Sequence, residues 1–97
     1  MVLIRKTNLF MKWLTGLRDQ KAIARIQIRI DRLALGNPGD VRPVGSGISE
    51  MRIDYGPGYR VYFSQRGSEI VILLCRGDKT TQTSDIEKAK RVNEGVQ

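Results

Sequence analysis

The stretch that decides the fold is "GPGYRVYF", residues 56–63, in which a glycine-proline turn leads into an alternating segment. Glycine permits positive φ and proline fixes its own φ, so this opening predicts a tight connection followed by a strand. Alternate positions of the strand are predicted to face a core: Tyr59, Val61 and Phe63. Arg60 and Tyr62 then share the opposite face, which either meets water or lines a cleft.

Two neighbouring stretches extend this strand into a sheet. The stretch "ISEMRID" (48–54) alternates, with Met51 and Ile53 on one side and Arg52 on the other. The stretch "EIVILLCR" (69–76) is nearly all apolar, which is typical of a central strand covered on both faces. Because the links between the three strands are short, we expect an antiparallel meander. A further short strand is predicted at "VLIRK", residues 2–6.

Helical periodicity occupies the region before the sheet. In "NLFMKWLTGLRDQ", residues 8–20, apolar residues repeat at steps of three and four behind Asn8, a plausible N-cap. Asp19 can cap a second helix with the same spacing, which Gly36 would end. The two segments predict an antiparallel αα-hairpin. A third, mostly polar helix is predicted to start near Ser84.

Composition limits the classes of function. A chain of 97 residues is one domain, 1–97, and its net charge of +7 favours nucleic acid, an anionic membrane or an acidic protein as a partner. The chain has no histidine, which excludes histidine catalysis, histidine metal ligands and a Cys/His zinc site. Cys75 is a single cysteine, which fits a reducing cytosol. No stretch is predicted to be a signal peptide or a membrane span, so we expect a cytoplasmic protein.

The face of the sheet opposite the core collects the chemically informative residues. A carboxylate, a phenol and several cations are predicted to converge there or at its rim: Glu50, Arg52, Arg60, Tyr62, Arg76 and Lys79. Arginine donates in a planar fork that matches phosphate oxygens, so this set favours phosphate binding and phosphoryl-transfer chemistry. Tyr62 or Tyr59 could stack on an unpaired base. The alternative interpretation is a surface salt bridge between Glu50 and Arg60.

The second predicted helix carries a basic stripe on the side opposite its apolar residues. Its members are Lys21, Arg25, Arg29 and Arg32. A stripe of this kind is either a solvated face or a contact for RNA, and Arg25 and Arg29 are the candidates for the second role.

The order of four motifs resembles the addiction-module killer proteins of the RelE/ParE toxin superfamily, near the HigB-type toxins. The motifs are "FMKWLTGLRD" (10–19), "RIDRLALGNPGD" (29–40), "GSGISEMRIDYGPGYRVYF" (45–63) and "ILLCRGDKTTQTSDIEKA" (72–89). The resemblance implies an α+β fold in which a helical hairpin packs on a small, twisted antiparallel sheet. It also implies that the first strand joins at the sheet's edge, and the sequence adds a short C-terminal helix.

The resemblance further implies the toxin half of a type II toxin–antitoxin pair. RelE-like members enter the ribosomal A site and cut mRNA by attack of the RNA's own 2′-OH, with no metal or cofactor. Carried over by position, Arg52, Arg60 and Arg76 match basic active-site residues, and Lys79 lies in a recurrent loop as a candidate for RNA binding. Tyr59 is a further candidate for RNA binding because it could stack on a base. HigB-like and YoeB-like members use a histidine, so the general acid and base stay unassigned. Tyr62, Glu50 or a lysine with a lowered pKa are the candidates.

Three functions remain open at this point. The first is the ribosome-dependent mRNA endonuclease, which the arginine cluster favours. The second is a ParE-like inhibitor of DNA gyrase that cuts nothing, since one fold serves both activities. The third is a regulator that binds its antitoxin and operator DNA. The expected partners are the ribosome, mRNA and a small antitoxin with a helix-turn-helix domain, through which operator DNA would be bound.

Overall fold

The structure is a computed structural model that describes residues 2–96, with the side chain of Lys79 left aside. Its elements run in the order β1 Leu3–Lys6, α1 Asn8–Thr15, α2 Gln20–Ala34, β2 Val41–Gly45, β3 Ile48–Ile53, β4 Tyr59–Arg66, β5 Glu69–Arg76, a short 3-10 turn Lys79–Thr81 and α3 Gln82–Glu94. The three strands predicted by alternation therefore form at the expected places.

The strands form one five-stranded sheet in the order β1-β5-β4-β3-β2. Strands β2 to β5 pair antiparallel with their neighbours, whereas β1 pairs parallel with β5, Leu3 lying opposite Glu69. The prediction of a small antiparallel sheet is therefore wrong, because the sheet is mixed. The direction of β1 is set by a partner more than sixty residues along the chain, and no local pattern in "VLIRK" encodes that direction.

Strand β2 was not predicted because it contains a proline. Pro43 lies in Val41–Gly45, at the edge of the sheet next to β3. Proline cannot donate to a strand ladder, so it is tolerated at an edge, where one side of the strand needs no partner. The pairing with β3 is irregular between Pro43 and Gly45. The strand nevertheless brings Arg42 opposite Glu50.

Helices α1 and α2 cover one face of the sheet, which we call the hairpin face. Thr7 caps α1 by accepting a hydrogen bond from the Phe10 amide at 3.2 Å, and Asp19 caps α2 through the Lys21 and Ala22 amides. Asn8, the predicted cap, is instead the first helical residue. The buried sheet residues of this face are Met51, Ile53, Tyr59, Val61, Phe63, Ile70, Ile72 and Cys75.

Helix α3 covers part of the opposite face, which we call the α3 face. The buried sheet residues of this face are Ile48, Glu50, Arg60, Tyr62, Ser64, Val71, Leu73 and Leu74. The helix begins at Gln82, two residues before the predicted Ser84, and the Ser84 hydroxyl donates to the Thr81 carbonyl within the first turn. Near its other end, Asn93 accepts a hydrogen bond from the Ser64 hydroxyl at 2.9 Å.

A β-bulge in β5 changes which face its last residues meet. The pairing runs from Tyr62 opposite Leu74 to Phe63 opposite Ile72, so Leu73 is the extra residue. Leu73 and Leu74 both pack on the α3 face as a result. Strict alternation from Ile72 would send Arg76 to the hairpin face. The bulge instead places it on the same face as Arg60.

The helices within residues 2–96 include none that is long and apolar enough to cross a membrane.

Candidate functional site: an arginine row on the α3 face

Three arginines lie side by side across the sheet. Arg52 on β3 is directly opposite Arg60 on β4, and Arg60 is directly opposite Arg76 on β5. Directly opposed residues share a face, with Cα atoms about 4.5–5.5 Å apart. Like charges in this arrangement repel each other and destabilise the sheet unless other groups offset them. The row therefore requires counter-charges.

The two outer arginines have partly exposed partners. Arg52 forms an ion pair with Asp40 at 3.3 Å, and both side chains are about half exposed. Arg76 forms an ion pair with Asp85 in the first turn of α3, also at 3.3 Å. Asp85 is buried and also accepts a hydrogen bond from the Thr81 hydroxyl at 2.8 Å. Both ends of the row are thus neutralised.

The central arginine is buried and incompletely paired. Arg60 is 8% exposed and faces Glu50, which is 0% exposed. The distance from Arg60 Nε to Glu50 Oε1 is 3.8 Å, close enough for an ion pair but too long for a hydrogen bond. Among the described atoms, Arg60 Nε, Arg60 Nη1 and Glu50 Oε1 have no hydrogen-bond partner. A buried polar atom without a partner costs roughly 1–3 kcal/mol, so the contact between Arg60 and Glu50 is costly as it stands.

The second oxygen of Glu50 is fully engaged. Its Oε2 accepts hydrogen bonds from the Tyr62 hydroxyl at 3.1 Å and from Gln82 Nε2 at 3.0 Å. On the other side, Arg42 Nε lies 3.4 Å from Oε1. Burial raises the pKa of Tyr62, and the nearby Glu50 carboxylate raises it further. Tyr62 therefore stays protonated and acts as a donor that orients Glu50.

A recess opens beside Arg60, and we call it the Arg60 recess. Its volume is about 230 Å³. It is lined by Asp40, Arg52, Ile53, Asp54, Gly58, Tyr59 and Arg60. A hydrogen bond from the Thr80 amide is the main cause that lowers the pKa of the Asp78 carboxyl, and the nearby charge of Arg60 lowers it further. Two of the three row arginines thus share a concave site.

The third row arginine lines a different recess, which we call the Trp13 recess. It measures about 220 Å³ and lies between α1, the end of β5 and α3. Its lining residues are Leu9, Lys12, Trp13, Leu74, Cys75, Arg76 and Lys88. Burial raises the pKa of the Cys75 thiol, so this cysteine is protonated and unreactive at neutral pH. The structure therefore places Arg52 and Arg60 at one recess and Arg76 at another, although all three lie on the same face of the sheet.

The residues predicted to bind RNA lie in varied surroundings. The Tyr59 ring packs edge-on against Trp13 at 5.7 Å, so it belongs to the core as well as to the wall of the Arg60 recess. The guanidinium of Arg25 lies 4.9 Å above the Tyr55 ring. Arg29 donates to the Arg52 carbonyl at 2.6 Å and to the Pro38 carbonyl at 3.0 Å. The side chain of Lys79 lies outside the described part of the chain.

Four residues of the network were not singled out from the sequence: Asp40, Arg42, Gln82 and Asp85. Arg42 carried no clear signal, because Val41 and Val44 are three residues apart instead of two and Pro43 disfavours a strand. Gln82 and Asp85 lie on α3 and contact side chains of the sheet, and no local pattern in the sequence predicts such contacts. Within residues 2–96 there is no group of three histidine, cysteine or acidic side chains suited to hold a metal ion.

Comparison with known proteins finds a clear relative by sequence. No family model matches the chain. A Haemophilus influenzae protein, described as uncharacterised, is 51% identical over 87 residues, which cover 90% of this chain and 88% of that protein. The chain belongs to the family of this Haemophilus protein. The identity extends over nearly the whole length of both chains, so the relative is expected to share the fold described above.

A solved structure shares the fold at low identity. The crystal structure of a copper-bound mutant toxin from Helicobacter pylori matches with a TM-score of 0.60 at 16% identity. The match covers 82% of this chain and 97% of the toxin. At this identity the likeness establishes a common fold and nothing about the chemistry of the site.

Proposed function

We propose that this protein is the toxin of a type II toxin–antitoxin pair and acts as a ribosome-dependent mRNA endoribonuclease. The single observation that carries the proposal is the buried, incompletely hydrogen-bonded guanidinium of Arg60, which opens onto a recess shared with Arg52. The common fold with a Helicobacter pylori toxin supports the toxin part of the proposal. The enzymatic part rests on the chemistry of the recess.

The guanidinium of Arg60, which is part of the lining of the Arg60 recess, suits the binding of a phosphodiester. Two neighbouring N–H donors of one guanidinium can bind two phosphate oxygens at once, and these bonds are strong because both partners are charged. Arg52 adds a second cation on the adjacent strand. Because Arg60 is fixed on a central strand and shielded from water, its charge is oriented before the substrate arrives. Such fixed donors stabilise a transition state that carries extra negative charge.

The proposed reaction needs no group beyond the RNA and the protein. The 2′-oxygen of one nucleotide attacks the adjacent phosphorus, and the bond to the 5′-oxygen of the next nucleotide breaks. The products are a 2′,3′-cyclic phosphate and a 5′-hydroxyl. Arg52 and Arg60 stabilise the charge that develops on the phosphate oxygens. The 2′-hydroxyl must lose a proton and the leaving 5′-oxygen must gain one, so the proton that a carboxylate accepts from the first can be returned to the second, and no proton is consumed overall.

The geometry favours positioning, rather than proton transfer, as the role of Glu50 and Tyr62. Glu50 is fully buried, with Tyr62 and Gln82 on one oxygen and two arginines near the other. The pKa of Tyr62 is raised, so its phenol is a poor base. The Arg60 recess itself contains two carboxylates, of which Asp40 is paired with Arg52. We therefore assign Asp54 to accept the proton of the 2′-hydroxyl.

The test compares variants of the recess in an induction assay combined with primer extension on a translated mRNA. We expect the unmodified protein to arrest growth and to cut mRNA only when ribosomes are present. Arg60→Ala should reduce cutting by roughly 100-fold or more, the usual effect of removing a donor to a developing oxyanion. Arg52→Ala and Asp54→Asn should also reduce cutting, and both positions are exposed enough to change without unfolding the protein.

Two controls keep this test decisive. Arg91→Ala removes one positive charge from an exposed position on α3 and should leave growth arrest unchanged. Circular dichroism should establish that each variant is folded. Full toxicity of both Arg60→Ala and Arg52→Ala would contradict the proposal. Intact mRNA together with inhibited DNA supercoiling would replace it with gyrase inhibition.

The same proposal includes partners. A toxin of this kind requires a cognate antitoxin, which we propose carries a helix-turn-helix domain and brings the pair to operator DNA. The net charge of +7 on the toxin favours an acidic surface on that partner. Co-expression of the adjacent open reading frame should restore growth, whereas expression of an unrelated acidic protein should not.

A further inference from the structure

The Trp13 recess differs from the Arg60 recess in its charge. Three cations line it, Lys12, Arg76 and Lys88, and no carboxylate is among its lining residues. Arg76 is paired with Asp85, but neither lysine forms an ion pair with any carboxylate in the described part of the chain. The rest of the lining is apolar or aromatic, apart from the protonated Cys75. The recess therefore combines an apolar wall with an unneutralised positive rim.

The position of the recess links it to the arginine row. Arg76 lines the Trp13 recess and lies directly opposite Arg60, which lines the other recess. The wall between the recesses includes the Trp13 and Tyr59 rings, packed edge-on at 5.7 Å. Gly77 lies against this wall, because a Cβ added there would come within 3.0 Å of the Tyr59 ring. The two sites are thus neighbours separated by one layer of side chains.

We propose that the Trp13 recess binds one nucleotide of a single-stranded RNA, with its base on the apolar wall near Trp13 and its phosphate on Lys12 and Lys88. That this nucleotide lies next to the cleaved bond rests on the proposed nuclease function. A volume of about 220 Å³ is below the usual range for drug-sized ligands, which suits a single base. Contact of bases with aromatic side chains and of phosphates with lysines is the usual mode of single-strand binding.

The combination of features favours RNA over an acidic peptide. A peptide with acidic and apolar side chains would also complement the charge of this recess. The Trp13 recess is, however, next to the arginine row, because Arg76 lies directly opposite Arg60 on the neighbouring strand, so a nucleotide chain bound at the row can reach it. A nucleotide uses the aromatic wall and the cations together, whereas a carboxylate uses the cations alone.

The chain contains its own reporter for this site, because Trp13 is its only tryptophan. Binding should be followed by Trp13 fluorescence during titration with AMP, GMP, CMP and UMP, and then with a short oligoribonucleotide. We expect saturable quenching by at least one nucleotide and none by inorganic phosphate alone. For the oligoribonucleotide, Lys88→Ala should weaken binding and lower the slope of log K against log salt by about 0.7.

The matched control is Lys90→Ala, which removes the same charge from the same helix. Lys90 pairs with Glu87 and does not line the recess, so its loss should leave the affinity and the salt slope nearly unchanged. Equal effects of the two substitutions would overturn the proposal, as would the absence of quenching by every nucleotide. Quenching by an acidic peptide but by no nucleotide would also overturn it, in favour of a protein partner.

The binding test does not depend on cleavage, so the two proposals fail separately. If nucleotides quench Trp13 and Lys88→Ala weakens binding while mRNA stays intact in cells, the nucleotide site stands and the nuclease proposal is wrong. If mRNA is cut but no nucleotide quenches Trp13, the nuclease proposal stands and the nucleotide site is wrong.

Discussion

The two faces of the sheet are built from different chemistry. The hairpin face buries apolar and aromatic side chains against α1 and α2. The α3 face buries a glutamate, an arginine and a serine among its apolar residues, with Tyr62 bonded to the glutamate. Burying charges costs free energy that an apolar pair of the same volume would not cost. Both faces bury apolar clusters that stabilise the fold, but only the α3 face of the sheet buries charged side chains, and binding explains those better than stability does.

The largest expected effect is on the hairpin face. Phe10 is 0% exposed, and its replacement by alanine leaves a cavity that the surrounding residues fill only in part. Phe10→Ala should lower the free energy of unfolding by roughly 3–5 kcal/mol, as measured by urea denaturation. The adjacent Met11 is 38% exposed, and Met11→Ala should change stability by about 0.5 kcal/mol or less. Similar losses at both positions would contradict this description of the core.

The second prediction distinguishes the buried ion pair of the α3 face from an exposed one. Glu50→Gln removes the counter-charge of the buried Arg60 and should cost roughly 3 kcal/mol in the free energy of unfolding. The reason is that Arg60 stays charged and buried, so Arg60→Met should recover part of the loss when it is combined with Glu50→Gln. The coupling in this double-mutant cycle should be at least about 1 kcal/mol.

The exposed pair of the same row gives the matched control. Asp40→Asn breaks the pair with Arg52, in which both side chains are about half exposed, and should cost about 1 kcal/mol or less. If the double variant lost the sum of the two single losses, Glu50 and Arg60 would not depend on each other, and the assigned role of Glu50 would be wrong.

Local signals account for the parts of the fold that the sequence predicts well. Alternation and the glycine-proline turn predict β3 and β4, a nearly continuous apolar run predicts β5, and the steps of three and four predict α1 and α2. The edges of the sheet depend instead on distant partners. The parallel pairing of β1 follows from where β5 lies, and β2 is a strand only because β3 pairs with a segment that contains Pro43.

The candidate site shows the same division. Alternation alone correctly places Arg52, Arg60 and Tyr62 on one face. Arg76 lies on that face only because of the bulge at Leu73, and the alternation of side chains along a strand does not predict a bulge. The role of Glu50 also depends on tertiary contacts. Because α3 docks on this face, Gln82 joins Tyr62 in enclosing Glu50, which is therefore not free to face RNA.

The last prediction concerns Tyr62, whose contribution to the free energy of unfolding should be small at neutral pH and clearest at alkaline pH. Its hydroxyl is one of two donors to Glu50 Oε2, so Tyr62→Phe should cost only about 1 kcal/mol at neutral pH. The pKa of Tyr62 is higher in the folded protein than in the unfolded chain, so the protonated phenol stabilises the fold. That stabilisation is complete below the unfolded pKa of about 10 and is lost as the pH rises from there towards the folded pKa.

The free energy of unfolding should therefore fall above pH 10 by up to about 1.4 kcal/mol per pH unit for each such group. Tyr62→Phe should make this fall of the free energy of unfolding with pH less steep. Tyr55→Phe, at a more exposed position, should change it less. Urea denaturation between pH 9 and pH 12 provides the measurement. Parallel pH profiles for the parent protein and Tyr62→Phe would mean that Tyr62 ionises freely in the folded state. In that case Tyr62 would again be a candidate for proton transfer.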